Sequence, residues 1–534
     1  MGDYNRFSLR KGLSPSPAAT GTLARVAATL TAAASVLAGR AMIAAGIRRP
    51  PEGWRRTVGI LLRSESTRFA LSVFGLCVPE SDAAAPPGRD PFQFRTARAL
   101  QAFLATEPDA HFALEWRRPV TSRRRIPVVD LVVLRFGHDG KLEAIEPHLA
   151  ASGSSAPASN ARDRVHDAIV QVYNRTSQLP EIVRPGGLLD GVQTALESTG
   201  LRTDAAYAQR LLAASCLSFE PIDPSDPAQR FRPPAFAARR ALGFGYLSWV
   251  ARAGAAGTVD LWVSAHHVGL DGVPLQDLLD RLERTWGAGD IVAFPPPAPG
   301  GGFIDPHPCH APGEREVDQL VTFVDLSPVF ALREGLNARH ARAIGGQVTF
   351  GTLIAWLLSQ DPEFAGVRIA STVDVAASSG YERDVDVVSL RAADYATGEG
   401  PWGGFVAYAR EFNRLIAAAR ARTSPVRIGM QTAGLIPAWA HAAVVHANPA
   451  SLDDAFGTLC VTIVREARVF VAPMTDLGLS HGFFALGNAR LPSGAGTLVT
   501  SVSVKGEAGR IAHYPAILQR VIERAAALRT TAAG

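Results

Sequence analysis

Apolar and polar positions alternate along this chain in a way that predicts strands and helices in turn. IPVVDLVVLRF (residues 126–136) reads as an apolar strand, and RVHDAIVQVYNRTSQLPEI (residues 164–182) as a helix stopped at Pro180. Past the middle, QLVTFVDLSPVFALREGLNARH (residues 319–340) predicts strand then helix. VTFGTLIAWLLSQDPEF (residues 348–364) adds a helix ending at Pro362. Thr258–Ser264 is alternating, β-branched and aromatic, which predicts a strand; Pro274 with Leu275, Leu278, Leu279 and Leu282 then predicts a helix.

Residues 241–272 and 485–509 share one pattern: strand, glycine turn, strand, then an apolar helix (LQDLLDRL in one, AILQRVIERAAAL in the other). The repetition predicts two related α/β lobes in tandem. Two proline- and glycine-rich stretches, 80–91 and 294–314, read as linkers, the second as the main boundary. The expected organisation is an Ala/Arg-rich helical region over 1–105, a first lobe over 106–297 and a second over 312–534.

A chain of 534 residues with 47% hydrophobic and 19% charged residues has ample material for a folded core, which excludes wholesale disorder. Cys77, Cys216, Cys309 and Cys460 form no C-x-x-C pair, so a reducing, cytoplasmic compartment without a disulfide framework is expected. His307, Cys309 and His310 cluster in DPHPCHAPGE. With no fourth ligand nearby and prolines throughout, no metal is expected there.

The formal charge of +5 is uneven: residues 1–63 hold ten Lys or Arg against Asp3 and Glu52, and the remainder is slightly acidic. No interleaved aromatics accompany these cations, so nucleic acid is not expected as a partner. The apolar run Val26–Gly39 is closed by Arg40 and is short for a membrane span. It reads first as an Ala-rich helix packed on the body, with peripheral membrane contact as the alternative.

The chemistry lies in VSAHHVGLDGVP (residues 263–274), where His266, His267, Asp271 and Gly272 form H-H-x-x-x-D-G on a strand-to-helix turn. Imidazole is the side chain best suited to take a proton from a thiol, hydroxyl or amine near neutral pH, and His267 is the candidate base. Asp271 is expected to hold the turn, through an arginine or backbone donors, and Gly272 to permit a backbone path that a Cβ would obstruct.

This motif resembles that of the chloramphenicol acetyltransferase-like superfamily, which includes dihydrolipoamide acyltransferase (E2) catalytic domains, nonribosomal peptide condensation domains and wax ester synthase/diacylglycerol acyltransferases. The resemblance covers residues 110–530. It implies two tandem lobes of an α+β sandwich around a tunnel, the second histidine as base and the aspartate orienting the site. FVDLSPVFALREGLNA and FGTLCVTIV in the second lobe also resemble E2 domains, and carry the oxyanion-stabilising hydroxyl onto Thr462. Ile463-Val464-Arg465 then departs from the E2 pattern S-N-L-G.

The implied activity is acyl transfer from a coenzyme A or carrier-protein thioester to a hydroxyl, amine or thiol on a small molecule or lipid. Coenzyme A would be a cosubstrate, with no tightly bound cofactor. Because the second lobe can take the place of a neighbouring subunit, a monomer could be complete. Lys11, Lys141 and Lys505 are the only lysines and none lies in D-K-A, so a lipoyl module, and with it a 2-oxo acid dehydrogenase complex, is not expected. Two alternatives remain: a degenerate acyltransferase fold serving as scaffold or lipid-binding protein, and an amide-forming condensation enzyme.

Overall fold

The computed structural model describes residues 22–48, 68–81, 84–117, 120–149, 159–177, 205–223, 227–234, 241–243, 245–254, 257–267, 269–288, 302–307, 317–375, 384–395, 402–437, 440, 457–464, 467–471, 481–487, 489–493, 496–507 and 510–531. The chain divides into two compact units, one built mainly from Leu62–Pro295, the other from Arg6–Leu61, Pro296–Ala472 and Asp476–Gly534. The first described element, helix α1 (Thr22–Ala44), belongs to the second unit.

The first unit contains strands β1 (Arg68–Cys77), β2 (Phe112–Arg117), β3 (Val120–Arg125), β4 (Leu131–Phe136), β5 (Leu142–His148), β6 (Ser215–Phe219), β7 (Leu247–Ala253) and β8 (Thr258–His266). Its helices are α2 (Pro91–Thr106), α3 (Ser159–Ser177), α4 (Ala205–Leu212), α5 (Pro227–Phe231) and α6 (Gly272–Trp286). Within the unit its main sheet runs β1-β8-β7-β6-β4-β5, and β2 and β3 form a separate hairpin. Pairing is antiparallel for β1/β8, β8/β7 and β4/β5, and parallel for β7/β6 and β6/β4.

The second unit continues with β9 (Gly302–His307), β10 (Val317–Val324), α7 (Ser327–Ile344), α8 (Phe350–Ser359), β11 (Arg368–Val375), β12 (Asp384–Arg391), α9 (Gly403–Arg420) and α10 (Pro425–Leu435). It ends with β13 (Leu459–Val464), β14 (Phe470–Val471), β15 (Gly482–Gly487), β16 (Leu491–Pro492), β17 (Leu498–Glu507) and α11 (Tyr514–Thr531). Its sheet runs β9-β10-β17-β15-β13-β11-β12. Antiparallel pairs β10/β17, β17/β15 and β11/β12 flank parallel pairs β15/β13 and β13/β11.

Strand for strand, β10-β17-β15-β13-β11-β12 repeats β1-β8-β7-β6-β4-β5 in order and direction. Each unit also ends strand-then-helix, β8 into α6 and β17 into α11. Two tandem α/β lobes are therefore what the chain forms.

Three expectations need correction. The first lobe starts before 106: β1 supplies nine residues of buried face to its sheet and is the counterpart of β10, while α2 also belongs to the unit. Second, the N-terminal region expected over 1–105 is not one piece, because α1 joins the second unit and β1 the first. Third, the linker read at 294–314 contains β9, whose residues 302–307 pair with β10 as an edge strand; Pro306 is compatible with an edge, where one face of the ladder is unpaired. The unit boundary itself falls at Pro295/Pro296, within the predicted linker. Cys309 and His310 lie outside the described residues.

The cores follow the predicted apolar faces. In the first unit, Val165, Ile169 and Val172 of α3 and Leu211 and Leu212 of α4 bury against Val132 and Leu134 of β4. In the second, Leu353, Ile354, Leu357 and Leu358 of α8 join Val502 and Val504 of β17 and Ile517, Leu518 and Val521 of α11. Such residues each contribute roughly 1.5–3 kcal/mol when fully buried.

Candidate active site

Strand β8 ends at His266 and α6 begins at Gly272, with His267, Gly269, Leu270 and Asp271 described between them. The leucine spacing legible in the sequence seats α6: Pro274, Leu275, Leu278, Leu279, Leu282 and Trp286 are all buried, and the helix packs on β1. Gly287, at φ 85°, ends it. One end of the turn is thus fixed by the sheet and the other by the helix.

His266 is buried, its Cα opposite that of Arg68 in the β1/β8 register. Its N–H donates to the carbonyl of Tyr246 at 2.9 Å, and its carbonyl accepts from the N–H groups of Gly269 at 2.8 Å and Leu270 at 3.3 Å. These bonds close the turn tightly and present the next residue, His267, at its crest. The His267 ring meets Phe69 edge to face at 5.5 Å between centroids, and its side chain is 18% exposed.

Asp271 occupies the N-cap position of α6, with φ −89° and ψ 169°, yet its carboxylate does not cap the helix. Oδ1 instead lies 3.1 Å from Nδ1 of His267. The carboxylate side chain is only 5% exposed. Asp271 was expected to hold the turn; the structure directs it at the imidazole. A carboxylate at that nitrogen favours the tautomer that carries its proton on Nδ1.

Gly272 differs from expectation. It is the first residue of α6 and has helical backbone, outside the left-handed region occupied by the positive-φ glycines of the chain. The close approach belongs to Gly269, where a Cβ would stand 2.6 Å from Cδ2 of Tyr246 and 3.3 Å from the carbonyl oxygen of His266.

Four residues that support the turn were not singled out from the sequence. Arg68, almost wholly buried, donates through Nη1 to the Tyr246 carbonyl at 3.1 Å and through Nη2 to the Gly245 carbonyl at 2.7 Å, pinning the start of β7. Arg123 of the β2/β3 hairpin donates to the Gly269 carbonyl at 3.1 Å while its guanidinium lies 4.6 Å from the centre of the Phe112 ring. Tyr246 is fully enclosed, so burial holds its phenol far above its ordinary range. Phe69 flanks His267. Along the chain all lie 23 residues or more from Gly269, and only folding brings them together; the one legible sign was the apolar, strand-like run RFALSVFGLC that carries Arg68 and Phe69.

Thr462 sits in the second unit on β13, between β11 and β15 as a central parallel strand. Its hydroxyl lies 2.6 Å from that of Thr372 on β11. One hydroxyl of this pair donates to the other, and the second keeps its own proton for a third group. Thr372 was not anticipated.

No family model matches the chain, and no curated protein matches it. Solved structures do. The chain is similar to the first condensation domain of the CDA synthetase, at 13% identity over 89% of this chain and 94% of that one, with a TM-score of 0.40. It is similar to TRI101 of F. graminearum, complexed with coenzyme A and deoxynivalenol, at 11% identity over 87% and 96% (TM-score 0.41). It is similar to the wax ester synthase/diacylglycerol acyltransferase of Marinobacter aquaeolei VT8, at 9% identity over 88% and 94% (TM-score 0.36). These likenesses are loose ones of fold, none above 13% identity.

Proposed function

We propose that this protein is an acyltransferase that moves an acyl group from a coenzyme A or carrier-protein thioester to a hydroxyl, amine or thiol, with His267 as general base. The observation that carries the reading is the Asp271 carboxylate at 3.1 Å from His267 Nδ1 on a turn clamped at both ends. With Nδ1 turned to the carboxylate, Nε2 is the nitrogen that exchanges a proton with substrate.

In the reaction, Nε2 takes the proton of the acceptor X–H as X bonds to the thioester carbonyl carbon. The carbonyl electron pair moves to oxygen. Collapse of the tetrahedral oxyanion re-forms C=O and breaks C–S, and the imidazolium returns its proton to the departing thiolate. Asp271 offsets the positive charge on the ring between the two transfers. General-base assistance of this kind contributes about 10²–10⁴-fold in rate, and a donor to the oxyanion about 10²–10³-fold more.

The test is free-thiol release from a panel of acyl-CoA and acyl-pantetheinyl carrier-protein thioesters, with hydroxyl, amine and thiol acceptors added in turn. His267→Ala should lower acceptor-dependent release by about 10²–10⁴-fold. Release that persists unchanged in His267→Ala refutes the base. Binding of thioester or lipid with no turnover by any acceptor identifies a scaffold instead, and turnover with carrier-bound amines alone a condensation enzyme.

A further inference from the structure

Helix α1 is apolar on nearly every side, and only a narrow face of it is covered. Ala28, Ala32 and Gly39 are buried, with Val36 packed alongside, against Ile436 and Ala440 and against α10. The approach at Gly39 is close: a Cβ there would stand 2.8 Å from Cδ2 of Leu435. These small contact residues are spread along the helix, so α1 lies lengthwise on the second unit.

The opposite face carries Val26, Leu30, Ala33, Leu37, Ala41 and Ala44, a stripe at helical spacing turned away from the contact face. Leu30 is 65% exposed, Leu37 71% and Ile47, just beyond the helix, 73%. Val26 and Met42 are exposed as well, and so is Ile428 on α10 beside it. Among the described residues, six of the seven exposed large hydrophobic side chains are therefore on this helix pair or its end. Val26–Ala44 is also the one helix, among the described residues, long and apolar enough to cross a membrane by length and composition. A stripe of this kind on a folded surface marks an interaction site.

Charge identifies the occupant. From Tyr4 to Pro51 there is no Asp or Glu, while Arg25 and Arg40 fall in the helix segment, Arg48 and Arg49 follow it in the sequence, and Arg6, Arg10 and Lys11 precede it. Arg40 is exposed and reaches Thr432 of α10 at 3.3 Å, off the line of the apolar stripe. Apolar stripe outward, cations along the same segment and no acids is the chemistry of an anionic lipid surface. We propose that α1 docks this protein on an anionic phospholipid bilayer, lying in the interface with Val26, Leu30, Leu37 and Ile47 in the acyl boundary and its small-residue face still on the second unit. This rests on α1 alone and stands whether or not His267 is a base.

The test uses the full chain and its Leu30→Asp/Leu37→Asp variant, both positions being too exposed to matter to folding, with an unchanged melting temperature as the control. Wild type should co-sediment with phosphatidylcholine vesicles containing roughly one-third phosphatidylglycerol, bind pure phosphatidylcholine far less, and weaken as salt rises. The variant should lose at least about tenfold in partitioning. Alkaline carbonate should strip the wild type from the vesicles, as it does a surface-bound protein. Equal binding by wild type and variant overturns the proposal. So does resistance to carbonate, which makes α1 a span, and so does a wild type that ignores vesicles but forms a dimer that the variant loses, which makes the stripe a contact between copies.

Discussion

Gly269→Ala isolates the geometry of the histidine turn from its chemistry. The added methyl would begin 2.6 Å from Cδ2 of Tyr246 and 3.3 Å from the His266 carbonyl. Ordinary carbon–carbon contact needs about 3.5 Å or more, so turn and ring must part by roughly 1 Å. The Tyr246 ring is fully buried between the turn and Phe112, and its backbone carbonyl is held by Arg68 and His266; it has little room to withdraw. The turn must move, carrying His267. Overpacking of this sort costs about 1–3 kcal/mol in stability, or about 2–4 °C in melting temperature per kcal/mol for a unit of this size. A base displaced by about 1 Å loses on the order of 10²-fold in turnover. Calorimetry and thiol release measure the two losses separately. If the clash is the cause, Gly269→Ala should be less harmful in a Tyr246→Leu background, giving a coupling of at least about 0.5 kcal/mol in the double-mutant cycle. Wild-type stability and turnover in Gly269→Ala, or strict additivity with Tyr246→Leu, would refute the packing argument.

His267→Ala should lower turnover by about 10²–10⁴-fold while losing only about 0.5–1.5 kcal/mol from the Phe69 ring contact, so a melting temperature that collapses with activity would show a structural histidine instead. Asp260, wholly buried, accepts from Arg230 (Nη2 to Oδ1 at 2.7 Å) and from the Gly75 N–H at 2.7 Å; Asp260→Ala should cost about 3–5 kcal/mol in chemical denaturation because Arg230 is left charged and buried, and a loss under about 1 kcal/mol would contradict this. Burial, then the Arg89 and Arg98 cations, hold His148 below its ordinary value of 6.5 against the opposing pull of Glu146, and burial likewise lowers His166. Between those lowered values and about 6.5 the unfolded chain binds more protons than the folded one, so stability falls as pH drops through that window. His148→Gln/His166→Gln should flatten that acid limb in thermal melts from pH 7 to 5.5, and an unaltered slope would show that neither histidine contributes.

Local pattern was enough to define β8, the turn and α6. Period-two alternation up to Ser264, the paired histidines and the leucine spacing after Pro274 are properties of neighbouring residues, and the fold kept them. The doubling of the lobe was legible for the same reason, since strand-turn-strand-helix recurs within short windows. The position of the first lobe's edge was not. Arg68 meets His266 across 198 residues of chain, and no periodicity within RFALSVFGLC says which strand it joins. Likewise the sequence named Asp271 but could not tell a carboxylate that caps a helix from one that faces an imidazole; that depends on backbone dihedrals at 271 and on where β1 and α6 hold the two ends of the turn. The glycine that matters was decided by Tyr246, a residue of another strand, and the exposure of α1 by which of its faces found α10. Composition and spacing settle what each segment can form and what chemistry it carries. Which groups then meet is a question of long-range packing, whose contacts leave no trace in the order of residues along the chain.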